Sequence, residues 1–317
     1  MSVYNAEDYL REAMASILSQ SYRSFEFIII DDGSTDQSAV ILREYAHSDS
    51  RIILITNEVN IGLPKSLNKG IKLSKGEYIV RQDADDRSSS NRFQVQVAYA
   101  IAHPEVDLIG SDCYIIDING DRVCENNTYS AITDPWTKLL QREAIFTHGS
   151  VMMKKSALIN VGLYDERFYY SQDGELWLRF LANKAKMHTI SQPLYHYRIL
   201  PVKTVKKYNA QASFNEVKHM MYLHHSSEQQ ISDKLDEITA QIAQKKPQLP
   251  VVNYMSIYWK NLANIAFFNK TTGWGVSYRY LFRAFKEHES KWGALYLMKL
   301  AVLYLMPKLI LTKLRRS

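Results

Sequence analysis

The run FEFIIIDDGSTD, from Phe25 to Asp36, decides the fold. Its first half is a short, β-rich apolar run through Ile30, continuous rather than alternating, as in a strand covered on both faces. The strand stops at Asp31-Asp32-Gly33-Ser34, a turn, and helical spacing follows through Ile41 and Tyr45. Upstream, Leu10, Met14, Ile17 and Leu18 recur at helical spacing behind Asn5, the expected N-cap. Glu7 and Asp8 in that first turn suit the helix dipole. Downstream, Arg51 to Ile55 reads as a strand, Pro64 to Leu73 as a helix and Glu77 to Val80 as a strand. That last strand runs into Asp83-Ala84-Asp85-Asp86. Asp117 to Gly120 places Asn-Gly between two strand-like runs, a hairpin signal. Strands alternating with helices predict an α/β domain over residues 1–204 with a mostly parallel, helix-covered sheet. Residues 205–245 read as polar helices, Pro247 and Pro250 bracket a break, and aromatics recur at helical spacing from Tyr254 to Phe285.

The chain has 317 residues, 46% of them apolar, enough for one substantial core and an appended region. Two cysteines, Cys113 and Cys124, support no disulfide framework, which favours a reducing compartment. Met1 leads directly into polar, turn-like sequence, so no cleavable signal is expected. Residues 201–317 carry 18 Lys and Arg against 7 Asp and Glu, a net of +11, while residues 1–200 net −5. A basic tail on an acidic body suits an anionic surface, or is a solvated helical face.

Two strands end in acid, Asp31/Asp32 and Asp83/Asp85/Asp86. Ligands of open α/β sheets bind outside the carboxyl ends of the strands, so both clusters are expected to face one crevice. Packed carboxylates are costly unless a cation or hydrogen-bond donors offset them. Alternating aspartates can offer oxygen ligands to Mg²⁺ or Mn²⁺, with phosphates completing the shell. Neither cluster has EF-hand spacing, and no G-x-x-x-x-G-K-[ST] is present, which excludes a P-loop NTPase.

Four ordered motifs then carry a resemblance. Val3 to Glu7, Phe25 to Asp36, Asn60 to Leu63, and GEYIVRQDADD from Gly76 to Asp86 resemble the donor half of family 2 inverting glycosyltransferases of GT-A fold. GLYDERFYYSQDGELWLRF, Gly162 to Phe180, resembles the family's acceptor segment, and Tyr195-His196-Tyr197-Arg198 its closing motif. The resemblance implies a nucleotide-sugar half over about residues 1–110 and an acceptor half over about 111–204. It implies that Tyr4 packs on the nucleobase, that Asp32 contacts base or ribose with Asp31 supporting the turn, and that Asp83 meets the ribose or a metal-bound water. Asp85 is the implied metal ligand. Lys65 and Arg81 are donor-side candidates, Arg81 equally a counter-charge for the acidic turn, and Asp86 a helix cap. Asp173 is the implied catalytic base, although a carboxylate at a helix start also caps it. His148, Trp177 and His196 are acceptor-side candidates. Gln172 stands where the family usually has Glu, and Leu200 where it often has His.

The implied function is metal-dependent transfer of a sugar, most readily from a UDP-sugar, to a glycan or lipid-linked acceptor in polysaccharide synthesis. The alternative is a catalytically impaired protein of the same fold that binds a nucleotide sugar or glycan. No recognition helix or RNA-binding motif is present, so nucleic acid is not an expected partner. Trp292 to Leu311 is mostly apolar but broken by Lys299, Pro307 and Lys308, and residues 291–317 hold six basic residues and no acid. That mixture suits an interfacial segment on an anionic membrane, and hence a cytoplasmic, peripheral location, or a helix packed on its own domain. Finally, the resemblance implies an apolar strand ahead of Tyr4-Asn5, whereas this chain opens at Met1-Ser2-Val3. Five to ten further Val- and Ile-rich residues upstream are therefore expected.

Overall fold

The computed structural model describes residues 1–141, 143–223, 226–244, 254–269 and 274–286. The chain enters on a two-residue strand, β1 (Ser2–Val3), and continues as α1 (Glu7–Leu18), β2 (Phe27–Asp31), α2 (Ser38–Ser48), β3 (Ile52–Thr56) and α3 (Leu63–Leu73). β1 and β3 flank β2 in a parallel ladder, with Ser2 opposite Ile30 and Phe27 opposite Ile52. Leu10, Met14 and Ile17 of α1 bury against Ile29 of β2 and Leu42 of α2 in one core. The strand and helix expectations hold to within about two residues.

Asn5 does not cap α1. The cap position is Ala6, and Asn5 takes a left-handed backbone, φ 47°. Its Oδ1 accepts from the Thr35 N–H at 2.8 Å. The N–H groups at the helix start go across to the turn after β2: Glu7 N–H donates to Asp36 Oδ2 at 3.1 Å and Ala6 N–H to Ser38 Oγ at 2.9 Å. A neighbouring loop thus satisfies the donors that a local cap satisfies elsewhere.

A second sheet follows from β4 (Tyr78–Val80), β5 (Arg87–Ser88), β6 (Leu108–Ile116), β7 (Arg122–Asn126), β8 (Met152–Lys154) and β9 (Met187–Arg198), in the order β4-β8-β6-β9-β5 with β7 on β6. Here β4, β6 and β8 pair antiparallel, as do β5 and β9. Helices α4 (Arg92–Ala102), α5 (Pro135–Leu140), α6 (Lys155–Asn160) and α7 (Gln172–Ala182) belong with it, and α7 buries Leu176, Trp177, Leu178 and Phe180. The single sheet expected from sequence is divided: parallel pairing stops at β1, and β4 begins a separate ladder.

A cleft of about 390 Å³ lies at that division. Ile28 and Ile30 of β2 and Tyr78 and Val80 of β4 line it, with Ile17, Phe93 and Ile71 from three helices. The chain terminus reaches into it: the Met1 ammonium donates to the Ile28 carbonyl at 2.8 Å, and the Met1 carbonyl accepts from Ile30 N–H at 2.9 Å. Burial, and next the Arg81 guanidinium, push the Met1 amine down to about 5 from 8.0. The native form is then the neutral amine, and the unfolded chain binds an extra proton between pH 5 and 8. Stability from this group is present above pH 8 and lost as pH falls through that window. The melting temperature is expected to rise from pH 5 to 8, and N-acetylation to flatten the rise. Parallel pH dependences of the two forms would remove the terminus as the cause.

Contacts divide the chain into two units, one of residues 1–114, 126–198 and 207–245, the other of 115–125, 199–206 and 246–317. A division by sequence at residue 204 thus runs differently from a division by contacts, because the 115–125 hairpin belongs with the late helices. Helices α8 (Pro201–Tyr222) and α9 (Glu228–Gln244) supply Phe214, Val217, Ile231 and Leu235 to a small core around Phe168. In the second unit, α10 (Tyr254–Phe268) and α11 (Trp274–Lys286) bury Tyr258, Trp259 and Tyr280 with Val123 and Cys124. Asp117 anchors the hairpin as expected, its Oδ1 accepting from the N–H groups of Asn119 and Asp121 at 2.9 Å. Its Oδ2 accepts from Tyr280 and Arg283 at 3.2 Å. Those aromatics form a core rather than an apolar surface. Pro247, Pro250 and the Trp292 to Leu311 segment lie outside the described residues. Among the described residues no helix is long and apolar enough to cross a membrane.

Candidate active site

The two strand ends differ in what they do. Asp31 Oδ1 accepts from Ser34 N–H at 3.1 Å and holds the turn, as expected. Asp32 is buried, and its carboxylate accepts from Asn57 Nδ2 at 2.8 Å and from the N–H groups of Ile61 and Gly62 at 3.0 Å. Asp32 therefore holds the Asn60–Leu63 motif in place. Lys69, rather than Lys65, reaches this network, donating to Asn57 Oδ1 at 2.6 Å. Lys65 is exposed in the first turn of α3, and Tyr4 stands half exposed.

The acidic turn after β4 is tied down from β9. Arg198 N–H donates to Asp86 Oδ1 at 2.7 Å, Arg198 Nε to the Asp85 carbonyl at 2.8 Å, and its terminal nitrogen to Glu12 at 2.5 Å. The guanidinium also lies over the Tyr9 ring at 4.5 Å. Asp86 is thus a buried anchor and not a helix cap. Burial, then the charges of Asp85 and Asp83, push its carboxyl well above the usual carboxylate range. Asp83, partly exposed, pairs with the buried Arg81 at 2.6 Å, the counter-charge arrangement. Asp83 N–H donates to the Tyr195 hydroxyl at 3.2 Å. That hydroxyl passes directly over Gly149, where any Cβ would collide with it.

Residues at i and i+2 of a strand share a face. Burial, then the Asp86 and Asp83 charges, raise the phenols of Tyr195 and Tyr197 of β9, although Tyr195 is fully buried and Tyr197 is 41% exposed as a whole. His196 points away: its Nε2 lies 3.2 Å from Ser89 Oγ and its ring 5.1 Å from that of Tyr114.

Asp173 lies one residue inside α7; the cap position is Ser171, and Asp173 Oδ1 accepts from Gly174 N–H at 2.9 Å. It opens onto a pocket of about 150 Å³ with Trp177, Phe146 and Lys218. Trp177 is a core residue, edge-on to Phe146 and Phe180, with one edge on that pocket. His148 Nε2 lies 2.8 Å from the Tyr164 hydroxyl. Tyr164 is buried, its phenol raised by burial, and it feels Arg81, then Asp173, then Asp83. One side chain thus senses both the acidic turn and Asp173.

As a metal site, the turn offers only hard carboxylate oxygens, and the repulsion that adds to burial in raising Asp86 is of the kind a cation relieves. Among the described residues no group of three or more His, Cys, Asp or Glu converges to hold an ion alone.

The sequence profile of glycosyl transferase family 2 matches residues 1–162, half of the chain. The chain belongs to glycosyl transferase family 2. An uncharacterized glycosyltransferase of Methanocaldococcus jannaschii is 37% identical over 201 residues, 63% of this chain and 69% of that protein. EpsE of Bacillus subtilis, named as a glycosyltransferase, is 35% identical over 204 residues, 62% of this chain and 71% of its own. The fold is shared with S. aureus TarS residues 1–349 in complex with UDP-GlcNAc, at TM-score 0.55 and 15% identity over 90% of this chain and 86% of that one. It is shared also with the mannosyltransferase PcManGT from Pyrobaculum calidifontis with GDP-Man and Mn²⁺, at TM-score 0.55 and 15% identity over 97% and 79%. The α/β GT-A assignment stands.

Within this glycosyltransferase, sequence reasoning passed over Tyr129, Tyr164 and Lys218 and gave no separate role to Tyr195, Tyr197 or Arg198. The alternation in Tyr195-His196-Tyr197 carried a signal, since it puts both phenols on one face. Nothing local marks Tyr129, whose phenol is raised to about 12 by burial and feels Cys113 and Asp173.

Proposed function

We propose that the chain is an inverting glycosyltransferase that moves a sugar from a nucleoside-diphosphate sugar, a UDP-sugar first, to a hydroxyl of a glycan or lipid-linked glycan. The observation that carries this is the acidic turn after β4 in a family 2 glycosyltransferase, with Asp83 paired to buried Arg81 and Asp86 held by Arg198. The donor lies against β2 and the acidic turn: Tyr4 takes the base, Asp32 acts through the Asn60–Leu63 loop it holds, and Asp83 with Arg81 meets the ribose side. Lys65 faces the diphosphate from the start of α3.

Asp173 takes the proton of the acceptor hydroxyl as it attacks the anomeric carbon from the face opposite the diphosphate. His148, fixed by Tyr164, orients the acceptor. Asp85, with Asp83 beside it, would hold Mg²⁺ or Mn²⁺, which would supply positive charge against the departing diphosphate. The names of PcManGT's ligands and of relatives in polysaccharide synthesis, such as the amylovoran biosynthesis glycosyltransferase AmsE of Erwinia amylovora, support this class of chemistry. Association with an anionic membrane through residues 291–317, at the cytoplasmic face, completes the proposal.

A panel of nucleotide sugars, read by nucleotide release with and without Mn²⁺, tests it; no release from any donor under either condition would overturn it. Asp85→Ala is expected to abolish the Mn²⁺-dependent part of UDP binding, because repulsion between diphosphate and the acidic turn is then unrelieved. Calorimetry decides this, and an Asp85→Ala protein that binds UDP with the parent Mn²⁺ dependence would remove the metal role.

A further inference from the structure

The pocket beside Asp173 contains a cation that the proposed reaction has not used. Lys218 is 4% exposed, on α8, one helical turn from Asn215, and both residues line that pocket. Its position is fixed by Gly174: a Cβ there would stand 2.8 Å from Lys218 Nζ. The ammonium is therefore within about 4.3 Å of the Gly174 Cα, since a Cα–Cβ bond adds about 1.5 Å. The Asp173 carboxylate holds the N–H of the same residue at 2.9 Å. Cation and carboxylate meet at one glycine, and a side chain at residue 174 would displace the cation.

Burying an ammonium is costly without an opposite charge. An acidic base in a half-enclosed pocket has the converse difficulty, because desolvation protonates it. The charged or titratable groups facing Asp173, among the described residues, are Lys218 from α8, Glu143 after α5, and Tyr129 and Tyr164 from the loops. Glu143 works against ionisation of Asp173, and the two phenols are neutral near pH 7. Lys218 is the cation of that set.

We propose that Lys218 is a positioning residue that keeps the Asp173 carboxylate ionised and turned toward the acceptor. This rests on the assignment of Asp173 as base. An opposite charge within about 4–6 Å lowers a carboxylate by about one unit or more. The acid limb of turnover, where the base protonates, lies correspondingly low in the parent protein.

The test is UDP release from UDP-GlcNAc or UDP-glucose, whichever the parent turns over, across pH 5–9. Lys218→Met, which keeps the stem, is expected to move the acid limb of kcat upward by about one pH unit with the donor KM unchanged. Lys218→Arg is expected to return the limb toward its parent position. Lys218→Gln serves as a second neutral variant, with circular dichroism melting to confirm folding. An unmoved limb in either neutral variant that folds overturns the proposal. Asp173→Asn separates the two ideas. If it retains the parent rate, the base assignment falls and Lys218 with it; if it is inactive while the Lys218 limb is unmoved, only the role of Lys218 falls.

Discussion

Asp173→Asn is expected to lower turnover by about 10²-fold or more while leaving UDP affinity unchanged. The substitution is nearly isosteric and keeps the acceptor oxygen that Gly174 N–H binds at 2.9 Å, so α7 has no reason to shift. What it removes is the negative charge, and with it both the ability to take a proton and the charge set against Lys218. A 10²-fold loss corresponds to about 2.7 kcal/mol of barrier, the ordinary scale of general-base catalysis. Donor binding is assigned to the β2 and acidic-turn side and should be untouched. Single-turnover transfer and calorimetry on the same preparation separate the two effects. Transfer at the parent rate would show that another group takes the proton.

The second large effect concerns stability. A chain carrying about five alternating Val and Ile residues ahead of Met1 is expected to melt on the order of 10 °C higher than the chain that begins at Met1. β1 pairs with β2 through only Ser2 and Val3, and the ladder toward Phe27 continues as an open cleft of about 390 Å³. Burying about five Val and Ile side chains contributes about 1.5–3 kcal/mol each, and ordering the new backbone at about 1–2 kcal/mol per residue takes back the larger part, leaving a few kcal/mol. Each kcal/mol moves the midpoint by about 2–4 °C in a domain of this size. The register is already set, since Ser2 faces Ile30, so added residues fall opposite Ile28 and its neighbours. The extension also carries the terminal amine away from its buried place and abolishes the pH dependence ascribed to Met1. Calorimetric melts of both chains decide the matter, and equal midpoints would show that the cleft does not take a strand.

What could be read in sequence was local. The apolar run ending at Asp31-Asp32, the helix of α3 and the Asn119-Gly120 turn each announce themselves within a dozen residues, through period and turn chemistry. The acidic turn and Asp173 were legible for a different reason, as parts of ordered motifs. Pairings across great sequence separation were not legible. Tyr195 reaches Asp83 only because Gly149, from a third segment, leaves room. Lys218 meets Gly174 through a helix whose sequence looks merely polar. Asn5 failed as a cap because the turn at Ser34–Ser38 satisfied its helix instead. His196 lies on the other face of β9 from Tyr195 and Tyr197, because neighbouring residues on a strand face opposite ways.

The grip of Arg198 on the acidic turn has a bearing on protein engineering. Its guanidinium and backbone join β9 to Asp85, Asp86, Glu12 and Tyr9. The second unit resumes directly after it, at Ile199. A chimera that exchanges the late helices of two such transferases should therefore keep residue 198 from the same parent as residues 83–86. A junction a few residues earlier would recombine an arginine from one ancestor with aspartates from another, and the mismatch would surface as lost donor binding in a protein whose exchanged helices are sound.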